Sequence, residues 1–386
     1  MLKSFKTEIR PTEEQKMKIH RTIGTCRFMY NFYLAHNKAL YVAGKPFMTA
    51  KSFSVWLNNE FLSANPDYAW IKDASSKAVK KSLEDACTAF TRFFKKQAGF
   101  PSFKKKHKSD VKMYFVRNNP KDCLCKRHRI KIPTLGWVKL KEKGYLPTSR
   151  HGLTIKSSTV SIKAGRYYVS VLVDMPDAHT APCSIGPGIG IDLGIKELAI
   201  LSDGSIYPNI NKSPRMYKLE RRLKREQRRL SRKQEVQKKH KSPGRKNIRK
   251  QIRKLQKLYT RMDAIRTDHI NKAIVRTVKA KPSFIAVEDL NVSGMMKNRH
   301  LSRAIASQKL YEFRSKLTSK CKENDIELRI VDRFYPSSRI CSRCGHMKQS
   351  LKLSERTYHC DACGWEADRD FNASVNIRDA KIYKTA

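Results

Sequence analysis

The sequence predicts an α/β fold class in its C-terminal half, joined to a helical segment and a small β domain. Three observations carry that reading. Apolar residues recur at helical spacing through the first hundred residues, and the period then changes to two from about residue 108. Beyond Gly186-Pro187-Gly188, short apolar strands alternate with long charged helices. Of the 386 residues, 40% are hydrophobic, which is enough to build real cores and excludes wholesale disorder.

Leu2 to Ile9 alternate as a strand would and can return to the β domain. Thr12, followed by Gln15 three residues on, is a capping-box start. Behind it Ile19, Ile23, Cys26, Tyr30, Tyr33 and Leu40 form a helical stripe. An aromatic-rich stretch with Phe53, Trp56 and Trp70 follows, read as one more helix and a loop. A later helix starting near Ser76 repeats the stripe with Val79, Leu83, Ala86, Phe90, Phe93 and Phe94. These stripes are core, and the face with Lys77, Lys80 and Lys81 is left for binding.

Val111–Val116, Arg129–Ile132, Trp137–Leu140 and Tyr167–Val173 read as strands, with Ala164-Gly165 as a hairpin turn. Together with residues 1–10 they predict a barrel-like β domain over 108–182, into which the helical lobe 11–107 is inserted. Pro182 and Gly186-Pro187-Gly188 mark the next boundary. Residues 212 to 260 then hold 21 Lys+Arg and three Glu. Met216, Leu219, Leu223 and Leu230 keep helical period, as do Ile248, Ile252, Leu255, Tyr259 and Met262. Ser242-Pro243-Gly244 separates the two series, so a basic helical hairpin over 212–279 is expected.

The balance of 82 Lys+Arg against 34 Asp+Glu leaves a net charge of +48. Such an excess calls for a polyanion, and each cation set on a phosphate releases condensed counterions. Nucleic acid is the expected partner, bound in part by Ser76, Lys77, Lys80, Arg221, Arg222, Arg225 and Arg229. No apolar run nears the ~18 residues of a membrane span, and Met1 to Arg10 lack a signal-peptide core. A soluble, cytoplasmic protein without membrane or small-molecule partners is expected.

Six of the ten cysteines, Cys26, Cys87, Cys123, Cys125, Cys183 and Cys321, are scattered and read as free thiols in a reducing compartment. Cys341, Cys344, Cys360 and Cys363 form two Cys-x2-Cys pairs fifteen residues apart. That is the spacing of a zinc ribbon, here over 338–366, in which four thiolates complete the shell of one structural Zn²⁺. His346 and His359 are then bystanders.

In so basic a chain, carboxylates at apolar strand ends need a reason. Asp192 interrupts the strand Gly188–Gly194, Glu288 ends the strand Phe284–Val287, and Asp368 and Asp370 open a short helix. One carboxylate at each of three element ends suits a pair of Mg²⁺ ions clamping the two oxygens of an in-line phosphodiester displacement. Strand, antiparallel hairpin, helices and a parallel strand are how an RNase H-like sheet sets Asp192 beside Glu288. Asp368 is placed to cap the helix, leaving Asp370 free in the first turn.

Gly190-Ile-Asp192-Leu-Gly194, Val287-Glu288-Asp289-Leu-Asn291, the four cysteines and Asp368-Arg-Asp370-x-Asn372-Ala together resemble the RuvC-type nuclease region of TnpB, a family of transposable-element proteins related to type V CRISPR effectors. Gly99-Phe-Pro-Ser-Phe-Lys-Lys105 and Asp332-Arg-x-Tyr335-x-Ser337-Ser338 are similar to that family too, and nearly the whole chain is covered. The resemblance implies a RuvC nuclease domain over 185–386 and a wedge-like barrel holding the recognition lobe. It implies RNA-guided cleavage of double-stranded DNA beside a short flanking motif, with the guide RNA transcribed from the element end and the protein monomeric in the complex. It also implies catalytic roles for Asp192, Glu288 and Asp370 as ligands of two Mg²⁺, and action on the DNA of a bacterial nucleoid. Two other functions share these features: a cleavage-inactive guided repressor and an unguided structure-specific resolvase.

Overall fold

The computed structural model describes residues 2–106, 108–117, 122–147, 153–175, 186–240, 246–352 and 354–385. Pro182, Cys183 and Ser242-Pro243-Gly244 lie outside the described residues. The chain divides into two compact units, Met1–Asp177 and Ala178–Ala386.

The first unit begins with β1 (Leu2–Arg10), followed by α1 (Glu13–Val42), α2 (Ala50–Trp56), α3 (Leu62–Ala64) and α4 (Ser76–Phe94). The capping box is present: the Thr12 hydroxyl accepts from the Gln15 amide, and the Gln15 side chain accepts from the Thr12 amide. Tyr30, Tyr33 and Leu34 of α1 pack with Leu83, Ala86 and Phe90 of α4 around Phe53. Phe94, expected in this stripe, is exposed instead, because it is the last residue of α4 and lies past the edge of that core. Lys81, assigned to the basic face, is paired with Glu84 and Asp85 one turn on, whereas Lys77 and Lys80 are exposed.

Seven antiparallel strands complete the unit: β2 (Met113–Val116), β3 (Cys125–Lys126), β4 (Arg129–Ile132), β5 (Gly136–Leu140), β6 (Thr154–Lys163) and β7 (Arg166–Asp174) join β1 in the order β2-β6-β7-β1-β5-β4-β3. β1 pairs with β7 from Leu2↔Asp174 to Ile9↔Tyr167, so the chain leaves the sheet for the helices and returns, as the alternation in Leu2–Ile9 predicts. Ala164 and Gly165 both have positive φ, +53° and +76°, in the tight turn of the β6–β7 hairpin. The expected barrel takes the form of one seven-stranded sheet; among the described residues no ladder joins its edge strands β2 and β3.

The second unit opens with β8 (Ile189–Leu193), β9 (Glu197–Leu201) and β10 (Ile206–Pro208), then α5 (Pro214–Lys239) and α6 (Lys246–Lys279). It continues with β11 (Phe284–Glu288), α7 (Val292–Met295), α8 (Ser302–Gln308), α9 (Leu310–Glu323) and β12 (Glu327–Val331). β13 (Thr357–His359), β14 (Glu366–Asp368), α10 (Arg369–Arg378) and β15 (Tyr383–Thr385) end it. The main sheet runs β10-β9-β8-β11-β12-β15, with β8, β11 and β12 parallel and the others antiparallel to their neighbours. Ile191, Ile285 and Val287 face Ile270 and Ile274 of α6 and Phe313 and Leu317 of α9. On the other face Ala286 and Val331 pack against Ile377 and Ala380.

α5 and α6 form the basic hairpin with a core of their own: Met216, Leu219 and Leu223 meet Leu255, Leu258 and Met262. The expected inner face of α6 holds at Leu255 and Met262 and is corrected at two positions. Ile252 and Tyr259 are exposed, and Gln251 and Leu258 are buried in their place. A polar plug explains the first of these: the Gln251 amide donates to the carboxylate of buried Glu226 at 2.7 Å and to its carbonyl at 3.0 Å. An apolar pattern cannot register a hydrogen-bonded pair inside a helix interface. Among the described residues no helix is long and apolar enough to cross a membrane.

Candidate active site

Strand register sets the first two carboxylates. β8 and β11 run parallel with Ile191 opposite Val287, so Asp192 and Glu288 are the next residues on adjacent strands. Side chains alternate along a strand, so both leave the sheet on the face that carries Gly190 and Ala286. That face is covered by α10. A Cβ on Gly190 would meet the Ser374 carbonyl oxygen at 2.0 Å and the Arg378 amide nitrogen at 2.6 Å, so only glycine lets the helix sit this low.

The seating of α10 brings in the third carboxylate. Asp370 precedes Ser374 by four residues and so shares its helix face. Two residues of strand advance about 6.6 Å and four of helix about 6 Å, which takes Gly190 to Asp192 and Ser374 back to Asp370 by nearly equal steps. Burial, then the charge of Asp370 and then that of Glu288 push the Asp192 carboxyl up to about 7. Burial also pushes Glu288 up to about 7. The structure thus gathers partly buried acidic groups in mutual repulsion, an arrangement that a divalent cation relieves. Their spacing is wider than a single ion's shell: among the described residues only the cysteine tetrad has its candidate ligand atoms all within 4.8 Å of one another.

The two other acidic residues nearby are occupied. Asp368 caps α10, its carboxylate accepting from the Asp370 and Phe371 amides at 2.9 and 3.2 Å. Asp289 is paired with Arg314 and, at 2.9 Å, with Arg333, and these partners hold its carboxyl below the ordinary range. Glu288, Asp289, Tyr311, Arg314 and Arg333 line an open cleft of about 240 Å³.

The cysteines come together as their spacing predicts. Cys341 and Cys363 are 3.7 Å apart at sulfur, and Cys344 and Cys360 are 3.5 Å apart. Four sulfurs about 2.3 Å from one Zn²⁺ stand about 3.8 Å from each other, so the cage has the size of a zinc site. Both knuckles are built alike. In each, the glycine after the second cysteine has positive φ, Gly345 at +76° and Gly364 at +68°, and donates to the first cysteine's carbonyl. His359 pairs with Glu366 at 2.8 Å, and neither it nor His346 belongs to the tetrad.

Two asparagines tie α10 to this cage, and apolar patterning offered no sign of them. Fully buried Asn372 donates to the Ile340 carbonyl at 2.7 Å and accepts from the Ser342 amide at 2.9 Å. Asn376, one turn on, donates to the carbonyls of Ser337 and Ile340. The only sequence signal was the Asp370-x-Asn372-Ala motif, whose asparagine had no assigned task. Of the described cysteines outside the tetrad, burial pushes the Cys26, Cys123 and Cys321 thiols up to about 12.

Of the expected nucleic-acid contacts, Ser76 is the exposed first residue of α4, followed by exposed Lys77 and Lys80. Arg221, Arg222, Arg225 and Arg229 are exposed on α5, and Arg229 is held by Glu226 at 2.9 Å.

Comparison with known proteins places the chain. A family model described as "Probable transposase" matches residues 170–299, and one described as "Cas12f1-like, TNB domain" matches 311–377. A third, described as "Helix-turn-helix domain", matches residues 1–46, which here form β1 and one continuous helix. InsQ of Escherichia coli (strain K12), provisionally named an RNA-guided DNA endonuclease, is 30% identical over 97% of this chain and 91% of its own. A Streptomyces pristinaespiralis protein with the same provisional name is 31% identical over 100% of this chain and 90% of its own. A solved Cas12f1–sgRNA–target DNA complex aligns over 99% of this chain and 100% of that one, with 18% identity and a TM-score of 0.36. With relatives at this identity over nearly the whole chain, and a TnpB-like protein of a mimivirus 33% identical over 24% of it, the chain belongs to the TnpB family of RNA-guided DNA endonucleases.

Proposed function

We propose that this chain cuts double-stranded DNA under the direction of a guide RNA, and that Asp192, Glu288 and Asp370 are its catalytic carboxylates and the ligands of two Mg²⁺. The observation that carries the assignment is the seating of α10 on Gly190, which sets Asp370 over the strand ends bearing Asp192 and Glu288. The sheet order, with its antiparallel hairpin and parallel fourth and fifth strands, supports an RNase H-like, RuvC-type domain. Names given to InsQ and the Streptomyces relative support the guide and the DNA substrate.

Bound divalent cations would supply the polarisation of the scissile phosphate and charge stabilisation on the attacking and leaving oxygens. The chain's own contribution is placement. Asp192 and Glu288 sit where burial raises their affinity for protons, so they must release them to take up a cation. Asp370 is free to ligate because Asp368 does the capping. The cysteine tetrad would hold one structural Zn²⁺ as a ribbon, with no open position for chemistry. The place of action would be the cytoplasm, on nucleoid DNA.

The test is to purify the full-length chain, sequence its bound RNA and challenge it with a plasmid matching that RNA. A discrete RNA and Mg²⁺-dependent double-strand cutting at the match support the reading. Heterogeneous RNA fragments with no matched cutting would leave only polycation binding.

A further inference from the structure

The segment Gly99-Phe-Pro-Ser-Phe-Lys-Lys105 has no part in the carboxylate site, yet it is held with care. Asn31 of α1 uses both ends of its side chain on Lys104, donating to its carbonyl at 3.0 Å and accepting from its amide at 2.7 Å. The Lys104 ammonium lies 4.8 Å from the centre of the Tyr30 ring, and the Lys105 amide donates to the Ser109 hydroxyl. A segment pinned this way could bury its rings. Instead Phe100 and Phe103 are 56% and 55% exposed.

Phe100 does not stand alone, and Phe103 lies three residues on along the same exposed segment. Phe100 packs edge-on against Phe90 and Phe93, and Phe93 touches Phe94, itself 59% exposed. Phe94 in turn meets Phe47, also exposed. The result is a shelf of aromatic faces open to solvent, of the kind that marks an interaction site. Its rim has one sign: from Thr88 to Ser109 the chain carries seven Lys and Arg and no Asp or Glu.

We propose that this shelf is a stacking platform for unpaired bases of the guide RNA. Flat apolar faces inside a cationic rim fit a polyanion with exposed π-faces, and a second copy of the chain would bring like charge to the same rim. Folded RNA offers fixed, splayed-out bases in loops and bulges, whereas the bases of duplex DNA are already stacked. The proposal rests on the RNA-guided reading but is independent of the carboxylates.

Phe103 makes no ring contact among the described residues, so Phe103→Ala tests stacking without opening the core. The probe is the RNA recovered from the purified chain and transcribed afresh, with a copy carrying 4-thiouridine for crosslinking. Phe103→Ala and Phe100→Ala should each weaken its binding about 5- to 100-fold, the range for loss of one stacked base. Phe103→Trp should restore it. Because the rings carry no charge, the salt dependence should keep its slope. Irradiation should join the thiouridine copy to this segment in the full chain. Unchanged affinity for both alanine variants would overturn the platform. So would a crosslink formed only by a single-stranded DNA oligonucleotide, or a shift from dimer to monomer with RNA binding intact. If no discrete RNA co-purifies, it is the guided reading itself that falls.

Discussion

Gly190 lies directly under the backbone carbonyl of Ser374, at a distance where an added Cβ would stand 2.0 Å from the oxygen. The contact is backbone against backbone, so no side chain can rotate away. Gly190→Ala must lift α10, and Asp370 with it, off the ends of β8 and β11. Overpacking of this kind costs about 1–3 kcal/mol. We expect a folded but less stable protein whose cleavage falls at least tenfold while guide binding persists. Wild-type cutting by Gly190→Ala would mean that the depth of α10 does not position the third carboxylate.

Asp368 and Asp370 are chemically identical and two residues apart, but only one is spent on the helix. Asp368 already accepts from two backbone amides of α10. Asparagine caps as well as aspartate, so Asp368→Asn should keep both activity and melting temperature. Asp370→Asn removes the proposed metal ligand and, among the described residues, no side-chain hydrogen bond, and should lower cleavage by about a hundredfold or more with little change in melting. Parallel plasmid-cutting and thermal scans decide it; reversed phenotypes would move the third ligand to Asp368.

How much of this was legible depends on the interaction involved. Periodicity located the strands of Asp192 and Glu288 because apolar runs flank each carboxylate, and spacing alone identified the cysteine tetrad. The capping box at Thr12 and the Asp368 cap were readable because they are local, spanning three residues or fewer. What the sequence hid was polar and long-range. Glu226 and Gln251 are 25 residues apart, and their hydrogen bond buries Gln251 where the apolar pattern predicts Ile252. Asn372 reaches Ile340 across 32 residues, and only a folded chain shows that it joins the helix of Asp370 to the first cysteine knuckle.

That junction is testable. Asn372→Leu keeps the volume but strands the Ser342 amide, at about 1–3 kcal/mol for a buried group left unpaired, while the Ile340 carbonyl keeps only Asn376. Zinc affinity should fall about 10- to 100-fold, the usual effect of losing a partner behind the ligands. Competition with a chromophoric chelator measures it. Cys341→Ser should lose the metal outright. An Asn372→Leu protein with unchanged zinc affinity and full cutting would show that ribbon and helix are independent.

Salt dependence probes α5. Arg221, Arg222 and Arg225 are exposed, whereas Arg229 is tied to Glu226. Each phosphate contact contributes about 0.7–0.9 to the slope of log affinity against log salt. Replacing Arg221, Arg222 and Arg225 by glutamine should therefore lower the slope by about 2–3, and Arg229→Gln alone should barely change it. A slope indifferent to the triple substitution would turn this face of the hairpin away from nucleic acid.

The last prediction concerns the charge on Asp192. Its carboxyl is pushed up to about 7 by burial first, then by Asp370 and Glu288, from an unfolded value near 3.8. A carboxyl whose folded value is raised favours the fold fully below about pH 4, and that support is lost as pH climbs through 7. Asp192→Asn cannot ionise. Without Mg²⁺, the variant should match wild type near pH 4 and exceed its stability by about 1–3 kcal/mol at pH 8. Mg²⁺ should then stabilise wild type increasingly from pH 6 to 8, because the ion competes with the proton, and should leave Asp192→Asn almost unmoved. Dialysis rather than chelator must remove the Mg²⁺, so that the zinc proposed for the cysteine site is not stripped with it. Cleavage by wild type should rise through the same window. If wild type and Asp192→Asn lose stability in parallel from pH 4 to 8, Asp192 is ionised throughout, and the repulsion among the three carboxylates is not what the cation relieves.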